Sequence, residues 1–179
     1  LPELLEQLEE NCTKNGIQVH WAETTDEANE QVLDIMQAHK ATLLVKGKSM
    51  VSEEMHLNKF LQYHGIEAIE TDLGEFIVQL NNETPSHIIV PAIHKNKDQI
   101  AEILHKNIPD TPYTEDVQEL NAIARKTLRR KFYQAGVGLS GVNLAVAETG
   151  TLCLVENEGN GRMCTTVPPV HIAVMGPEK

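Results

Sequence analysis

The chain has 179 residues, a formal net charge of −11 at pH 7, 41% hydrophobic residues and only 4% aromatic ones. This length and apolar content fit one soluble globular domain with a mainly aliphatic core. The acidic balance argues against sequence-independent binding of nucleic acid, which depends on Lys and Arg neutralising phosphates. No apolar run approaches the roughly 20 residues that span a bilayer, and the acidic, amphipathic start is unlike a signal peptide.

The cysteines indicate the redox compartment of the protein, and the last residues of the sequence indicate its domain organisation. Cys12, Cys153 and Cys164 show neither metal nor disulfide spacing, and three scattered cysteines fit a reducing cytoplasm. Lys179 follows closely on an apolar run that is predicted to be a strand. We therefore expect residues 1–179 to be a single α/β domain cut from a longer protein.

Hydrophobic periodicity and capping signals predict alternating helices and strands in the first half of the chain. In order, these are a helix over Pro2–Lys14, a strand over Ile17–Trp21, a helix that starts at Thr24, a strand over Thr42–Val45, a helix over Ser52–His64, a strand over Ile66–Glu70, a helix over Leu73–Leu80 and a strand over Ile88–Val90.

The second half begins with helices and ends with strands. The prediction is a helix that starts at Asn96, a loop over Asn107–Thr114, the longest helix over Asp116–Ala135, and strands over Val142–Ala147, Thr151–Val155 and Val170–Val174. Alternation followed by consecutive strands predicts an α/β fold: a mainly parallel sheet with helices on both faces and an antiparallel piece near the C-terminus.

Polar residues follow two of the predicted strands, where open α/β sheets place their ligands. Lys48 and Ser49 come after the strand Thr42–Val45 and precede a helix, which makes an anion site plausible, although a helix cap at Ser49 or Ser52 and a solvated Lys48 explain the same residues. A nucleotide-hydrolysing P-loop is rejected because Thr42 stands where the pattern needs glycine. Thr71, Asp72 and Glu75 come after the next strand and are either ligand contacts or helix-start residues.

The stretch 140–174 carries the main catalytic candidate. Glu148, Thr149 and Gly150 form a tight turn between two apolar strands. A carboxylate there would be partly desolvated, which raises its pKa and suits acid/base or nucleophilic work. We expect Glu148 to be held by Thr149, by backbone N–H groups or by Arg162, although two ordinary solvated turns explain the same pattern.

Further residues join the candidate ligand-binding set from the neighbouring segments. They are Asn143, Asn157, Asn160, Arg162 and His171. The prediction is that the polar loops converge on one pocket at the ends of the strands.

Two other groups of polar residues have weaker functional interpretations. The basic run 125–131 at the end of the longest helix suits the helix dipole, or serves as a docking patch for an acidic partner or an anionic ligand. His87 and His94 flank the strand predicted at Ile88–Val90, but no cysteine or carboxylate lies near them at zinc-like spacing. We therefore predict hydrogen-bonded structural histidines and no metal site.

Four segments resemble the LUD (lactate-utilisation) domain, with the strongest likeness to LutB-type lactate-utilisation proteins. They are KSMVSEEMHLN, ETDLGEFIVQL, PSHIIVPAIHK and SGVNLAVAETGTLCLVENEGN, and together they extend the resemblance over essentially the whole chain. The resemblance implies a fold like that of the NagB/RpiA/CoA-transferase superfamily. It also implies a subunit of an oxidoreductase that converts L-lactate to pyruvate together with other lactate-utilisation subunits.

The same resemblance implies iron–sulfur electron transfer in the longer protein. LutB-type proteins carry their 4Fe–4S cluster cysteines in a ferredoxin-like segment, and no such motif occurs in these 179 residues. We therefore expect no cofactor in this chain, a role in binding a small organic acid, anion or partner subunit, and no nucleic-acid partner.

Two alternatives stay open. The first is an acyl- or CoA-handling enzyme that uses Glu148, because CoA transferases of the superfamily carry a nucleophilic glutamate in a comparable loop. The second is a non-catalytic scaffold whose polar loops bind partner proteins.

Overall fold

The computed structural model describes residues 1–87 and 89–178, and its centre is a four-stranded sheet. The strands are β1 (Leu43–Lys46), β2 (Glu67–Glu70), β3 (Val137–Gly141), β4 (Leu144–Val146), β5 (Thr151–Cys153) and β6 (Val170–Val174). The helices are α1 (Pro2–Lys14), α2 (Thr25–Ala38), α3 (Met50–Glu54), α4 (Leu57–Tyr63), α5 (Leu73–Leu80), α6 (Lys97–Asn107), α7 (Val117–Gln134) and α8 (Asn160–Thr166).

The sheet has the strand order β2-β1-β3-β6, and all of its pairings are parallel. A separate antiparallel hairpin is formed by β4 and β5. The register between β1 and β2 places Lys46 opposite Glu70 at the carboxyl ends of both strands. The predicted fold class, a parallel α/β sheet with an antiparallel piece near the C-terminus, is confirmed.

Helices cover both faces of the sheet because successive strand residues point to opposite sides. Leu44 packs in one core with side chains from α2, α3 and α4. Leu43 and Val45 pack in a second core with side chains from α5, α7 and α8. None of the helices in the described ranges combines the length and the apolar character needed to cross a bilayer.

Side chains that accept backbone N–H groups fix the starts of several helices. These N-caps are Thr24, Ser49, Asp72, Asn96 and Asp116. Each such cap typically stabilises a helix by about 1 kcal/mol. The predicted starts at Thr24, Asp72, Asn96 and Asp116 are therefore explained by local chemistry.

Three predicted elements of the first half are corrected by the structure. No strand forms over Ile17–Trp21, where most residues are exposed. The single helix predicted over Ser52–His64 is divided into α3 and α4, because His56 adopts a left-handed backbone conformation with φ of 52°. The strand predicted over Ile88–Val90 includes Ile88, which lies outside the described residues. Ile89 and Val90 are not in a strand, and their N–H groups donate to Nδ1 of His87 at 3.1 and 3.2 Å.

Two elements of the second half were not predicted. The central strand β3 has the sequence VGLSG, and its two glycines weaken the strand signal. The helix α8 begins within the segment Glu156–Arg162, for which no helix was predicted. β3 is a central strand of the sheet and α8 packs against it, and together they position the site described below.

Candidate functional site

Three polar segments meet at the carboxyl ends of β1 and β2. They are the loop 47–49 after β1, the segment 71–75 after β2, and the segment 156–161 that leads into α8. Nδ2 of Asn160 donates to Oγ1 of Thr71 at 3.3 Å, and Nζ of Lys48 lies 3.6 Å from Oε1 of Glu75. A Cβ built on Gly47 would lie 3.6 Å from Cα of Gly161, so the first and third segments are in close contact.

A buried ion pair lies directly below this edge of the sheet. Lys46 is fully buried, and its Nζ donates to Oε1 of Glu70 at 2.6 Å and to Oε1 of Glu53 at 2.9 Å. Nδ2 of Asn58 donates to the same Glu70 oxygen at 2.5 Å. Burial disfavours a charged Lys46, but the two carboxylates outweigh this effect, so the pKa of Lys46 is raised.

Glu75 is the most strongly perturbed carboxyl group of the cluster. Burial, followed by the charge of Glu70 and a hydrogen bond with it, raises the pKa of Glu75 to about 8. The group therefore holds a proton at neutral pH. Oε2 of Glu70 and Oε2 of Glu75 are both buried, and the hydrogen bond between the two carboxyl groups joins β2 to α5.

Lys48 is the partly exposed cation of the site. About a third of its side chain is exposed, and it interacts with Glu75 and with Glu158. Glu158 accepts the backbone N–H of Leu73, although burial and the nearby Asp72 raise its pKa. A cation and a protonated carboxyl group therefore lie together at one edge.

Thr71 is buried at the base of the site. Its hydroxyl donates to the carbonyl of Lys46 at 2.8 Å and lies 3.6 Å from Sγ of Cys164. Burial raises the pKa of the Cys164 thiol to about 12, which keeps it protonated and unsuited to nucleophilic chemistry.

A cavity of about 420 Å³ adjoins the three segments. Its walls come from α7, from the start of α5 and from the segment 158–163. The apolar lining includes Leu73, Leu128 and Phe132, and the polar lining includes Thr71 and Asn160 together with Asn121, Arg125, Arg129 and Glu158.

Several predicted site residues are brought together at this edge. They are Lys48, Ser49, Thr71, Asp72, Glu75 and Asn160. Two of them also have the helix-start role that the sequence left open: Oγ of Ser49 accepts the N–H of Ser52 at 3.2 Å, and Oδ1 of Asp72 accepts the N–H of Glu75 at 3.1 Å.

The turn that carries Glu148 lies against α1 instead of joining the other three loops. Nδ2 of Asn11 donates to the carbonyls of Ala147 and Glu148 at 2.8 and 3.1 Å. The Glu148 side chain is exposed, and within the described ranges no hydrogen bond or ion pair involves its carboxylate. The expectation that all four loops converge is therefore wrong for this turn.

The expected contact between Glu148 and Arg162 is also wrong. Nε of Arg162 lies 3.4 Å from Glu156, whose carboxylate also accepts the Arg162 backbone N–H at 2.9 Å. Thr149 bonds to Thr151 at 2.8 Å instead of to Glu148, and the N–H of Gly150 donates to the carbonyl of Val146.

The remaining predicted residues lie apart from the buried cluster. Oδ1 of Asn143 accepts the N–H of Val155 at 2.7 Å, which closes the base of the hairpin, and Asn157 is exposed. Nε2 of His171 lies 2.9 Å from Oγ of the buried Ser140, and partial burial lowers the pKa of His171.

Sequence reasoning missed the centre of the site, Lys46 and Glu70. The signal was nevertheless present: two apolar runs, TLLVK and IEAIE, each end in a residue of opposite charge. In a parallel pair of strands such ends become neighbours, so opposite charges at both ends indicate a buried pair.

The predicted structural histidines are confirmed as hydrogen-bonded groups. His94 lies between Oγ of Ser86 at 2.7 Å and Oε2 of Glu83 at 2.8 Å, and His87 accepts two backbone N–H groups. Over residues 1–87 and 89–178, no group of three or more His, Cys, Asp or Glu side chains could hold a metal ion.

The family of the chain is shown by its sequence. The model of the LUD domain matches residues 5–179, so the chain belongs to the LUD domain family.

Curated relatives match almost the entire chain. It is 48% identical to the electron transport protein YkgF of Escherichia coli (strain K12), over 98% of this chain and 37% of that protein. It is 46% identical to lactate utilization protein B of Bacillus subtilis (strain 168) and 48% identical to that of Shouchella clausii (strain KSM-K16), over 98% of this chain and 36% and 37% of those proteins. The chain thus spans little more than a third of the length of these relatives. No solved structure matches it significantly.

Proposed function

We propose that the chain is the LUD-domain part of a lactate-utilisation protein that takes part in electron transport, and that its role is to bind a small organic acid. The names of the relatives, lactate utilization protein B and an electron transport protein, support the physiological setting. The proposed reaction of the whole assembly is the oxidation of L-lactate to pyruvate together with other lactate-utilisation subunits.

One observation carries the ligand-binding part of the proposal: the partly exposed Lys48 lies 3.6 Å from Glu75, which is protonated at neutral pH. A 2-hydroxy acid presents a carboxylate and a hydroxyl group. Lys48 would pair with the carboxylate, while the Glu75 carboxyl group would hydrogen-bond to the ligand.

We propose that the iron–sulfur clusters are held outside these 179 residues. A 4Fe–4S cluster is held by four cysteine thiolates, and the chain has three cysteines. Sγ of Cys12 contacts the carbonyl of Gly150, whereas Sγ of Cys164 contacts Thr71. This donor set does not fit a cluster, so we assign the clusters to the remaining length of the protein.

The proposal is tested in the full-length protein assembled with its partner subunits, by following lactate-dependent reduction of a dye acceptor. Lys48→Ala should raise KM for L-lactate about tenfold, the size expected for one charge-assisted hydrogen bond. The matched control is Lys59→Ala, because Lys59 is an exposed lysine on α4 and no ion pair involves it in the described ranges. Unchanged kinetics in Lys48→Ala and in Glu75→Gln would remove the organic-acid site from this domain.

The same assay tests the role predicted for Glu148. If the carboxylate acts as an acid, base or nucleophile, Glu148→Gln should leave the fold intact and reduce turnover sharply. Full activity in Glu148→Gln would make it a turn residue in lactate oxidation, whereas covalent labelling of Glu148 by an acyl-CoA would favour the acyl- or CoA-handling alternative.

A further inference from the structure

The cavity beside the polar edge has two arginines that the fold itself does not use. Arg125 and Arg129 lie one turn apart on α7 and line the same cavity. In the part of the chain that the structure describes, neither guanidinium makes an ion pair or a hydrogen bond. Exposed arginines are common, but two of them beside an apolar cavity are positioned for a ligand.

The rest of the lining shows what kind of ligand would fit. Leu128 and Phe132 of α7 and Leu73 and Met163 opposite them supply apolar surface. The volume of about 420 Å³ lies in the roughly 300–1,000 Å³ range of pockets that bury drug-sized ligands. The cavity is thus far larger than a molecule of lactate requires.

The charge of the lining favours an anion. Glu158 also lies at the cavity, but its carboxylate accepts the N–H of Leu73 and interacts with Lys48. The two arginines therefore leave a net positive charge at one end. Planar guanidinium groups bind phosphate oxygens in a two-pronged geometry that an ammonium group cannot provide.

We propose that this cavity binds an organic phosphate, with the phosphate group held by Arg125 and Arg129 and an apolar body packed against Leu128 and Phe132. This cavity adjoins the organic-acid site at Lys48 and includes Thr71 and Asn160 of the polar edge. The proposal nevertheless goes beyond the proposed function, since it requires neither lactate nor its oxidation.

The test uses phenyl phosphate as a probe, with inorganic phosphate and phenol as the two halves of the same molecule. Binding to the full-length protein is measured by isothermal titration calorimetry in the absence of lactate. Phenyl phosphate should bind at least tenfold more tightly than either half, because only the whole molecule uses both the arginines and the apolar wall.

Single variants Arg125→Gln and Arg129→Gln should each weaken phenyl phosphate binding about tenfold, and the double variant should abolish it. Arg130→Gln is the matched control, since Arg130 lies on the same helix but outside the cavity lining. The proposal is overturned if Arg130→Gln weakens binding equally, if inorganic phosphate binds as tightly as phenyl phosphate, or if phenyl phosphate does not bind at millimolar concentration.

Discussion

At the scale of single residues, Glu75 links the candidate site to the pH dependence of stability. Its pKa rises from 4.5 to about 8 in the folded chain, chiefly because burial disfavours the charged form. Between these two values the native state binds more protons than the unfolded state. The stabilisation from this group is therefore complete below about pH 4.5 and is lost as the pH rises through about 8.

Glu75→Gln should remove that dependence, because glutamine keeps the shape of a protonated glutamate and does not titrate. We expect the free energy of unfolding of the variant, measured by urea titration, to fall less steeply between about pH 5 and pH 9 than that of the unmodified protein.

Glu83→Gln provides a control in which the removed carboxyl group has its pKa shifted in the opposite direction. Hydrogen bonds from His94 and then Lys95 lower the pKa of Glu83 to about 2, so its stabilisation is lost only when the pH falls through that value. Glu83→Gln should leave the contribution of Glu75 to the slope above about pH 5 unchanged. An unaltered slope in Glu75→Gln would show that Glu75 does not titrate in this range.

The roles of individual residues were predicted well where they depend on neighbours in sequence, and poorly where they depend on the pairing of two strands. Asp72 follows a strand and precedes a helix, so both its cap and its place at the sheet edge were readable from sequence. Lys46 and Glu70 are 24 residues apart, and only the register of β1 with β2 joins them.

At the scale of elements, the packing of α8 on β3 depends on a glycine. A Cβ built on Gly138 would lie 1.9 Å from the carbonyl oxygen of Cys164, which is backbone that cannot move aside without shifting α8. The strand β3 therefore tolerates no side chain at this position.

Gly138→Ala should thus destabilise the protein by about 1–3 kcal/mol or more, the usual cost of overpacking a core. It should also weaken ligand binding, because α8 carries Asn160 into the site. The measurement is the urea midpoint compared with that of Gly47→Ala, whose added Cβ meets its nearest atom at 3.6 Å. Equal midpoints for the two variants would contradict the close contact between α8 and β3.

The elements missed by sequence reasoning have a weak signal in the sequence. The glycines of β3 suppress its strand signal although they permit close packing of α8. The break between α3 and α4 occurs at His56, a residue type that does not interrupt a hydrophobic pattern. In β3 a tertiary contact with α8 thus overrides the local preference on which the prediction relied.

At the scale of the whole molecule, alternation of helices and strands was enough to predict the parallel α/β architecture and the late hairpin. The alternation could not predict against which element the turn of the hairpin packs. The turn at Glu148 is drawn to α1 through Asn11, which is separated from Ala147 by 136 positions in the chain.

This long-range contact makes the N-terminal helix a support for the hairpin. The side chain of Asn11 donates to the carbonyls of Ala147 and Glu148, Asn15 donates to that of Thr149 at 2.8 Å, and Sγ of Cys12 contacts the carbonyl of Gly150. A Cβ on Gly150 would lie 2.5 Å from the backbone of α1, which shows how closely the two segments pack.

Asn11→Ala removes two of these hydrogen bonds, each of which contributes about 1 kcal/mol. We expect backbone amides of the hairpin, including Gly150, to exchange with solvent about tenfold or more faster, while those of β1 and β3 keep their protection. The control is Thr13→Ala, because Thr13 is an exposed residue of α1 whose hydroxyl makes no hydrogen bond in the described ranges. Hydrogen–deuterium exchange read by mass spectrometry separates the outcomes. Unchanged hairpin exchange would mean that α1 does not hold the turn, and equal acceleration in β1 and β3 would mean that hairpin and sheet open as one unit.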